Sequence, residues 1–355
     1  LSPTVSSLGE RALIARITAR LALRNAAEAF RKKSPSWVIV GPGDDAAVIA
    51  PERGALEVLT TDALVDGVHF DRRFVPPDAI GHRALAVNLS DLAAMGAQPR
   101  AALLSLALPP SMELAEVDGL LDGLLAVAAN HRVTVIGGNV TRTPGPLTID
   151  MTAIGSVRPR RVLTRAGARA GDDVYVTGSL GGAAIGLRAL ASGKSSPGTE
   201  RYLRPEPRVR AGLMLARNRA ASSCMDLSDG LADGIRQIAA ASGVGITIDA
   251  SAIPLSEGLT EWRDLEGGDP VEVALSGGDD YELLFTVRQA HRGRLRAARS
   301  DFSDLPITKI GVVTKEHGVQ LRDGDRLRPL PEGFDHFGQS RQDRPTANVE
   351  GSFTK

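Results

Sequence analysis

Asp226-Leu-Ser-Asp-Gly230 runs directly into a helix-like stretch, 230–242, and the reading of this junction decides the reading of the chain. Alone, Asp229-Gly230 would be an ordinary helix cap. Four further clusters of short acids and hydroxyls beside glycine share its character. Gly41-Pro-Gly-Asp-Asp45 follows a strand-like run. Thr60-Thr-Asp62 ends another, with Asp66 and Val68-His69-Phe70 just beyond. Asn88-Leu-Ser-Asp91 lies inside a helix-like stretch, and Ser276-Gly-Gly-Asp-Asp-Tyr-Glu282 follows the apolar run 271–275.

Working outward, the hydrophobic periodicity predicts helices over 9–33, 77–95, 112–130, 182–192, 207–219, 230–242 and 289–299. Gly96 is a C-terminal stop for the second of these. Runs rich in Val, Ile and Leu predict strands over 37–41, 46–50, 56–61, 101–108, 133–137, 147–157, 173–178, 245–249, 271–275, 282–287, 307–314 and 319–322. The basic segment Arg158-Pro-Arg-Arg161 reads as a linker. The expected fold class is α/β (α+β), with two mixed α/β domains, 1–158 and 159–338, and a polar tail over 339–355 expected to be disordered.

The composition narrows the function. Of 355 residues, 42 are Lys or Arg and 42 are Asp or Glu, and zero net charge disfavours a protein that binds nucleic acid by bulk phosphate neutralisation. One cysteine, Cys224, excludes an internal disulfide and a cysteine-cluster metal site. No apolar run of about 18 residues suggests a membrane span, and Leu1 to Gly9 lack the order of a signal peptide. A cytoplasmic protein is expected. The balance conceals 26 Asp against 16 Glu, and Asp favours turns, caps and hard-metal sites.

Gathered carboxylates repel unless cations neutralise them. Mg²⁺ takes oxygen ligands, commonly a few carboxylates together with substrate phosphates, and phosphoryl transfer depends on such neutralisation and positioning. Other patterns yield less. Gly41-Pro-Gly-Asp-Asp-Ala46 fits a dinucleotide fingerprint only superficially, because its acids would repel a pyrophosphate. Gly193-Lys-Ser195 lacks the earlier glycine of a phosphate-binding loop, and there is no His-Glu-x-x-His or Gly-x-Ser-x-Gly pattern. Asp172-Asp173 reads as a plain turn before a strand, Asp323-Gly-Asp325 as a hairpin turn, and the arginine-rich 288–299 as a solvated helix face.

Taken in order, Gly43-Asp-Asp-Ala46, Thr61-Asp-Ala-Leu-Val-Asp-Gly-Val-His-Phe70, Ala84 to Ala97, Asp226-Leu-Ser-Asp-Gly-Leu231 and Ser276 to Leu283 resemble the thiamine-monophosphate kinase family. Val176-Thr-Gly-Ser-Leu-Gly181 and Gly333-Phe-Asp-His-Phe337 fit as well, so the resemblance covers about residues 8–338. It implies transfer of the γ-phosphoryl of ATP to thiamine monophosphate, directly and in line, with several Mg²⁺ ions, as the last step of thiamine diphosphate biosynthesis. It also implies an N-terminal domain that dimerises through its sheet, a C-terminal α/β domain and an ATP cleft between them.

Carried across by motif, Asp45, Thr60, Thr61, Asp62, Asp91, Asn139, Asp226 and Asp229 would be Mg²⁺ ligands. Gly138, Asn139, Arg165 and Ser228 would meet ATP, while His69, Asp279 and Phe334 would face thiamine monophosphate. Asp44 and Asp280 would support them. The family usually shows Gly-Gly-Asp-Thr where this chain has Gly137-Gly-Asn-Val140, so one ligand keeps a carbonyl oxygen but loses its charge. Two alternatives remain. One is another ATP-using enzyme of the same superfamily, although a selenophosphate synthetase lacks its nucleophile here and a hydrogenase maturation factor its terminal cysteine. The other is a non-catalytic nucleotide-binding relative weakened at Asn139.

Overall fold

The computed structural model describes residues 3–31, 36–42, 44–266, 268–301 and 304–331. The terminal motif 333–337, Phe334 within it, and the tail lie outside the described residues.

The N-terminal elements are α1 (Val5–Leu8), α2 (Glu10–Arg31), β1 (Val38–Val40), β2 (Val48–Ile49), β3 (Leu56–Val65), α3 (Pro77–Ala94), β4 (Gln98–Leu108), α4 (Leu114–His131), β5 (Thr134–Arg142) and β6 (Thr148–Val157). β3, β6, β4 and β5 form one sheet in that order, parallel only between β4 and β5. α3 and α4 cover one of its faces, where Leu104, Leu106, Ile149 and Met151 are buried. The other face carries Leu59, Thr61 and Asp150, which are exposed.

The C-terminal elements are β7 (Asp173–Thr177), α5 (Gly182–Ala191), α6 (Thr199–Leu203), α7 (Val209–Asn218), β8 (Ser223–Asp226), α8 (Leu231–Ser242), β9 (Gly245–Asp249), α9 (Leu259–Glu266), α10 (Pro270–Ser276), β10 (Leu283–Val287), α11 (Arg292–Arg299), β11 (Ile307–Thr314), β12 (Gly318–Asp323) and β13 (Arg326–Pro329). Their sheet runs β13-β12-β9-β11-β7-β10-β8 and is mixed, since β12 pairs with β9 in parallel. One face packs on α8 and α10 through Ile235, Ile238, Ala274 and Leu284. Side chains from the other face, Cys224, Phe285 and Val287, join the same apolar core as Leu92, Ala93 and Leu215. The two mixed α/β domains are thus cemented by α3 and α7, and a Cβ on Gly212 of α7 would lie 2.0 Å from the Ala93 carbonyl oxygen. Among the described residues, no helix is long and apolar enough to cross a membrane.

Several expectations need correcting. Residues 271–275 alternate like a strand but form helix α10, because Asp269 accepts the Val271 N–H at 2.9 Å and Pro270 occupies the first helical position. Asp172-Asp173 is more than a turn. Asp172 accepts the Ser222 hydroxyl at 2.6 Å, and the buried Asp173 of β7 pairs with Arg292 and Lys309, each at 2.6 Å. Arg292 nevertheless stays on the exposed face expected of 288–299. Strand β8, with no periodicity of its own, went unpredicted, as did α6, α9 and β13. The hairpin at Asp323-Gly-Asp325 joins β12 to β13 as expected.

Candidate active site

β3 extends through Asp62 to Val65 instead of ending before it. Its alternation sends Thr60 and Asp62 toward α3 and Thr61 to the opposite face. The Thr60 hydroxyl donates to Asp91 Oδ2 on the last turns of α3. Thr61 instead donates to Asp150 Oδ1 at 2.9 Å, on the neighbouring strand β6. Thr60 and Thr61, adjacent in sequence, thus serve different carboxylates on different faces.

β8 forms the edge of the C-terminal sheet, and α3 covers it. That docking brings Ser90 to Asp226, which accepts its hydroxyl proton at 2.7 Å. Beyond Asp226 the chain pairs with the 276–282 motif. Leu227 N–H donates to the Glu282 carbonyl and Tyr281 N–H to the Leu227 carbonyl, both at 2.9 Å, and Asp279 N–H to the Ser228 carbonyl at 2.8 Å. Gly230 enters α8 at φ +94°, packed on the carbonyls of Leu275 and Gly277, where a side chain would be strained and crowded. Two motifs separated in sequence are therefore one paired loop. The Ser228 hydroxyl donates to Asp229 Oδ2 at 2.8 Å within it.

The electrostatics record the convergence. Burial, then repulsion from Asp91, Asp150 and Asp229, pushes Asp62 up to about 6. Asp226 is pushed up to about 7 by burial and by Asp91 and Asp62, with the Ser90 hydrogen bond acting the other way. Asp91 is raised by burial, against the pull of the Thr60 hydroxyl and the Arg165 charge. Asp62 and Asp91 of one domain thus lie within electrostatic reach of Asp226 of the other, and Asp62 also of Asp229. Among the described residues, no group of three or more acidic, histidine or cysteine side chains is placed to hold a metal ion.

The remaining residues fall around this centre or apart from it. Arg165, whose charge reaches Asp91, donates to Gln237 Oε1. His69 accepts the Val65 N–H on Nδ1 at 3.0 Å, which leaves Nε2 to carry the proton of the neutral ring. Asp279 sits at φ +67° and accepts from Arg83 at 3.0 Å and from the Tyr281 hydroxyl at 3.2 Å. Asp280 is buried and accepts the N–H groups of Gly181 and Ala183 at 2.6 and 3.3 Å, at the start of α5. Burial nevertheless pushes it up to about 7. Asp45 lies in an exposed turn and donates its N–H to Asp44 Oδ1 at 2.9 Å. Gly138 and Asn139 lie within β5, not beyond a strand ending at 137. A Cβ on Gly138 would sit 1.8 Å from the Leu104 carbonyl oxygen, so only glycine lets β5 approach β4 there. Asn139 pairs in register with Ser105, which pairs in turn with Asp150.

Asp150, Ser90 and Arg83 were not anticipated. Asp150 belongs to no motif. Ser90 lies inside the Asn88-Leu-Ser-Asp91 cluster, and the signal for Arg83 is a cation beside the apolar run Ala84-Leu-Ala-Val87.

Comparison with known proteins accords with this architecture. Residues 43–157 match the family described as AIR synthase related protein, N-terminal domain, and residues 169–324 match AIR synthase related protein, C-terminal domain. The chain is 39% identical over 339 residues to the thiamine-monophosphate kinase of Escherichia coli K12, covering 93% of this chain and 98% of that protein. The crystal structure of thiamine-monophosphate kinase from Stenotrophomonas maltophilia K279a superposes with a TM-score of 0.74 at 39% identity, over 87% of this chain and 95% of that one. A structure of AaThiL complexed with AMPPCP and TMP gives a TM-score of 0.71 at 32% identity, over 94% and 98%.

Proposed function

Since this chain belongs to the thiamine-monophosphate kinase family, we propose that it transfers the γ-phosphoryl of ATP to the phosphate of thiamine monophosphate, giving thiamine diphosphate and ADP. The observation that carries the reading is the electrostatic reach of Asp62 and Asp91 to Asp226, and of Asp62 to Asp229, across the domain junction. A similar fold binds AMPPCP and TMP together in AaThiL.

In this mechanism the acceptor phosphate attacks the γ-phosphorus directly and ADP leaves, with no enzyme nucleophile. Asp62, Asp91, Asp226 and Asp229, with Asp45, Thr60 and Asn139, would hold Mg²⁺, which when bound neutralises phosphate charge and favours in-line displacement, whereas Thr61 turns its hydroxyl to the opposite sheet face. Arg165 and Ser228 orient the nucleotide, and Gly138 and Asn139 border it. His69 offers an N–H to the acceptor phosphate, and Asp279, with Phe334, suits the cationic thiazolium. We place the domains at 1–158 and 159–338, and the exposed face of the four-stranded sheet as the homodimer contact of a cytoplasmic enzyme.

The test is incubation with ATP, Mg²⁺ and thiamine monophosphate, followed by chromatography of both products. Stoichiometric thiamine diphosphate and ADP are expected. ADP without thiamine diphosphate would reject the acceptor. ATP binding with no turnover would leave a nucleotide-binding protein.

A further inference from the structure

Arg83 is a guanidinium on α3, 1% exposed. Such a charge is costly to bury without partners, and its partners come from the other domain. One terminal nitrogen donates to the Tyr202 carbonyl and the other to Asp279 Oδ1 at 3.0 Å. The guanidinium carbon stands 4.5 Å from the centre of the Tyr202 ring, within the range of a cation–π contact. The Tyr202 hydroxyl in turn donates to the His69 carbonyl at 3.3 Å. His69, Tyr202, Arg83 and Asp279 are thus joined in one continuous path.

The ends of that path are the two described residues assigned to the acceptor substrate, one on each domain. We infer that Arg83 and Tyr202 are positioning residues for the acceptor phosphate ester, fixing the separation of His69 and Asp279. This rests on the proposed function, and it adds what sets the acceptor pocket's dimensions. Asp279 Oδ1 is occupied by Arg83 and by the Tyr281 hydroxyl, so it is Oδ2 of this partly exposed carboxylate that remains to face a cation. Arg83 also holds Asp279 at its left-handed backbone position, φ +67°, which few non-glycine residues occupy without support. A lysine would keep the charge but could not span both acceptors with one planar fork.

The experiment is a double-mutant cycle between Arg83→Gln and Asp279→Asn, with steady-state constants for each substrate. Arg83→Gln is expected to raise KM for thiamine monophosphate about tenfold and to leave KM for ATP within about twofold, since it misplaces groups on the acceptor side only. In the Asp279→Asn background the same change should add less than about twofold, because residues acting through one another are non-additive. Arg83→Lys and Tyr202→Phe repeat the comparison in case Arg83→Gln does not fold, each followed by thermal unfolding. Equal increases in both KM values, or multiplicative effects in the cycle, overturn the inference while turnover by the unaltered protein upholds the kinase reading. Absence of that turnover overturns both.

Discussion

The Ser90 hydroxyl, on α3 of the N-terminal domain, donates to Asp226 Oδ2 at the end of β8 in the C-terminal domain, at 2.7 Å. Both residues are buried. This bond spans the junction where the acidic groups gather, and it is one of the influences that favour the charged form of Asp226. Ser90→Ala is expected to destabilise the protein by about 1–3 kcal/mol, the range for leaving a buried polar group without its partner. Thermal unfolding at neutral pH measures it, and an unchanged midpoint would deny the bond any weight.

The metal-free protein should lose stability as pH rises. Folding raises Asp62 to about 6 and Asp226 to about 7 from an ordinary carboxylate value of 3.8. The folded chain then holds protons that the unfolded chain has released, so stability falls with pH between about 4 and 7. Mg²⁺ should remove most of this slope by binding the charged form. Melting temperatures across pH 5 to 8, with chelator and with Mg²⁺, test it. Parallel curves would contradict the assignment of a cation to these acids.

Asn139→Asp is expected to lower the Mg²⁺ concentration for half-maximal rate severalfold. The substitution supplies a charged oxygen at a position that now offers a neutral one. The measurement is a Mg²⁺ titration of turnover at saturating ATP. An unchanged titration would exclude a ligand role for position 139.

Asp280→Asn should keep most of kcat, whereas Asp280→Ala should cost about 1–3 kcal/mol of stability. Asp280 accepts two N–H groups at the start of α5, a task that an amide oxygen can share and a methyl group cannot. Loss of turnover in the Asn variant without loss of stability would instead assign Asp280 to proton transfer.

How much of this was legible beforehand varies with the residue. The span of α3 is legible from its helical spacing and the Gly96 stop, and so is the presence of acids at the ends of its neighbours. The 271–275 run misled because its apolar spacing suits a strand, while the capping acid and proline before it carried the decisive local signal. Asp150 could not be singled out, since a lone acid in a strand is marked only by what lies across the sheet from it.

By itself the sequence determined the two α/β halves, the five acidic motifs and the family, because each depends on local spacing and residue type. Tertiary structure decided which acids meet. Strand alternation parted Thr61 from Thr60, and the docking of α3 over β8 carried Ser90 to Asp226 and Arg83 to Asp279. Those pairs lie 136 and 196 residues apart in the chain. The repulsion between Asp226 and Asp91 and between Asp62 and Asp229 falls steeply with distance, so that part of it exists only once the domains have closed on one another.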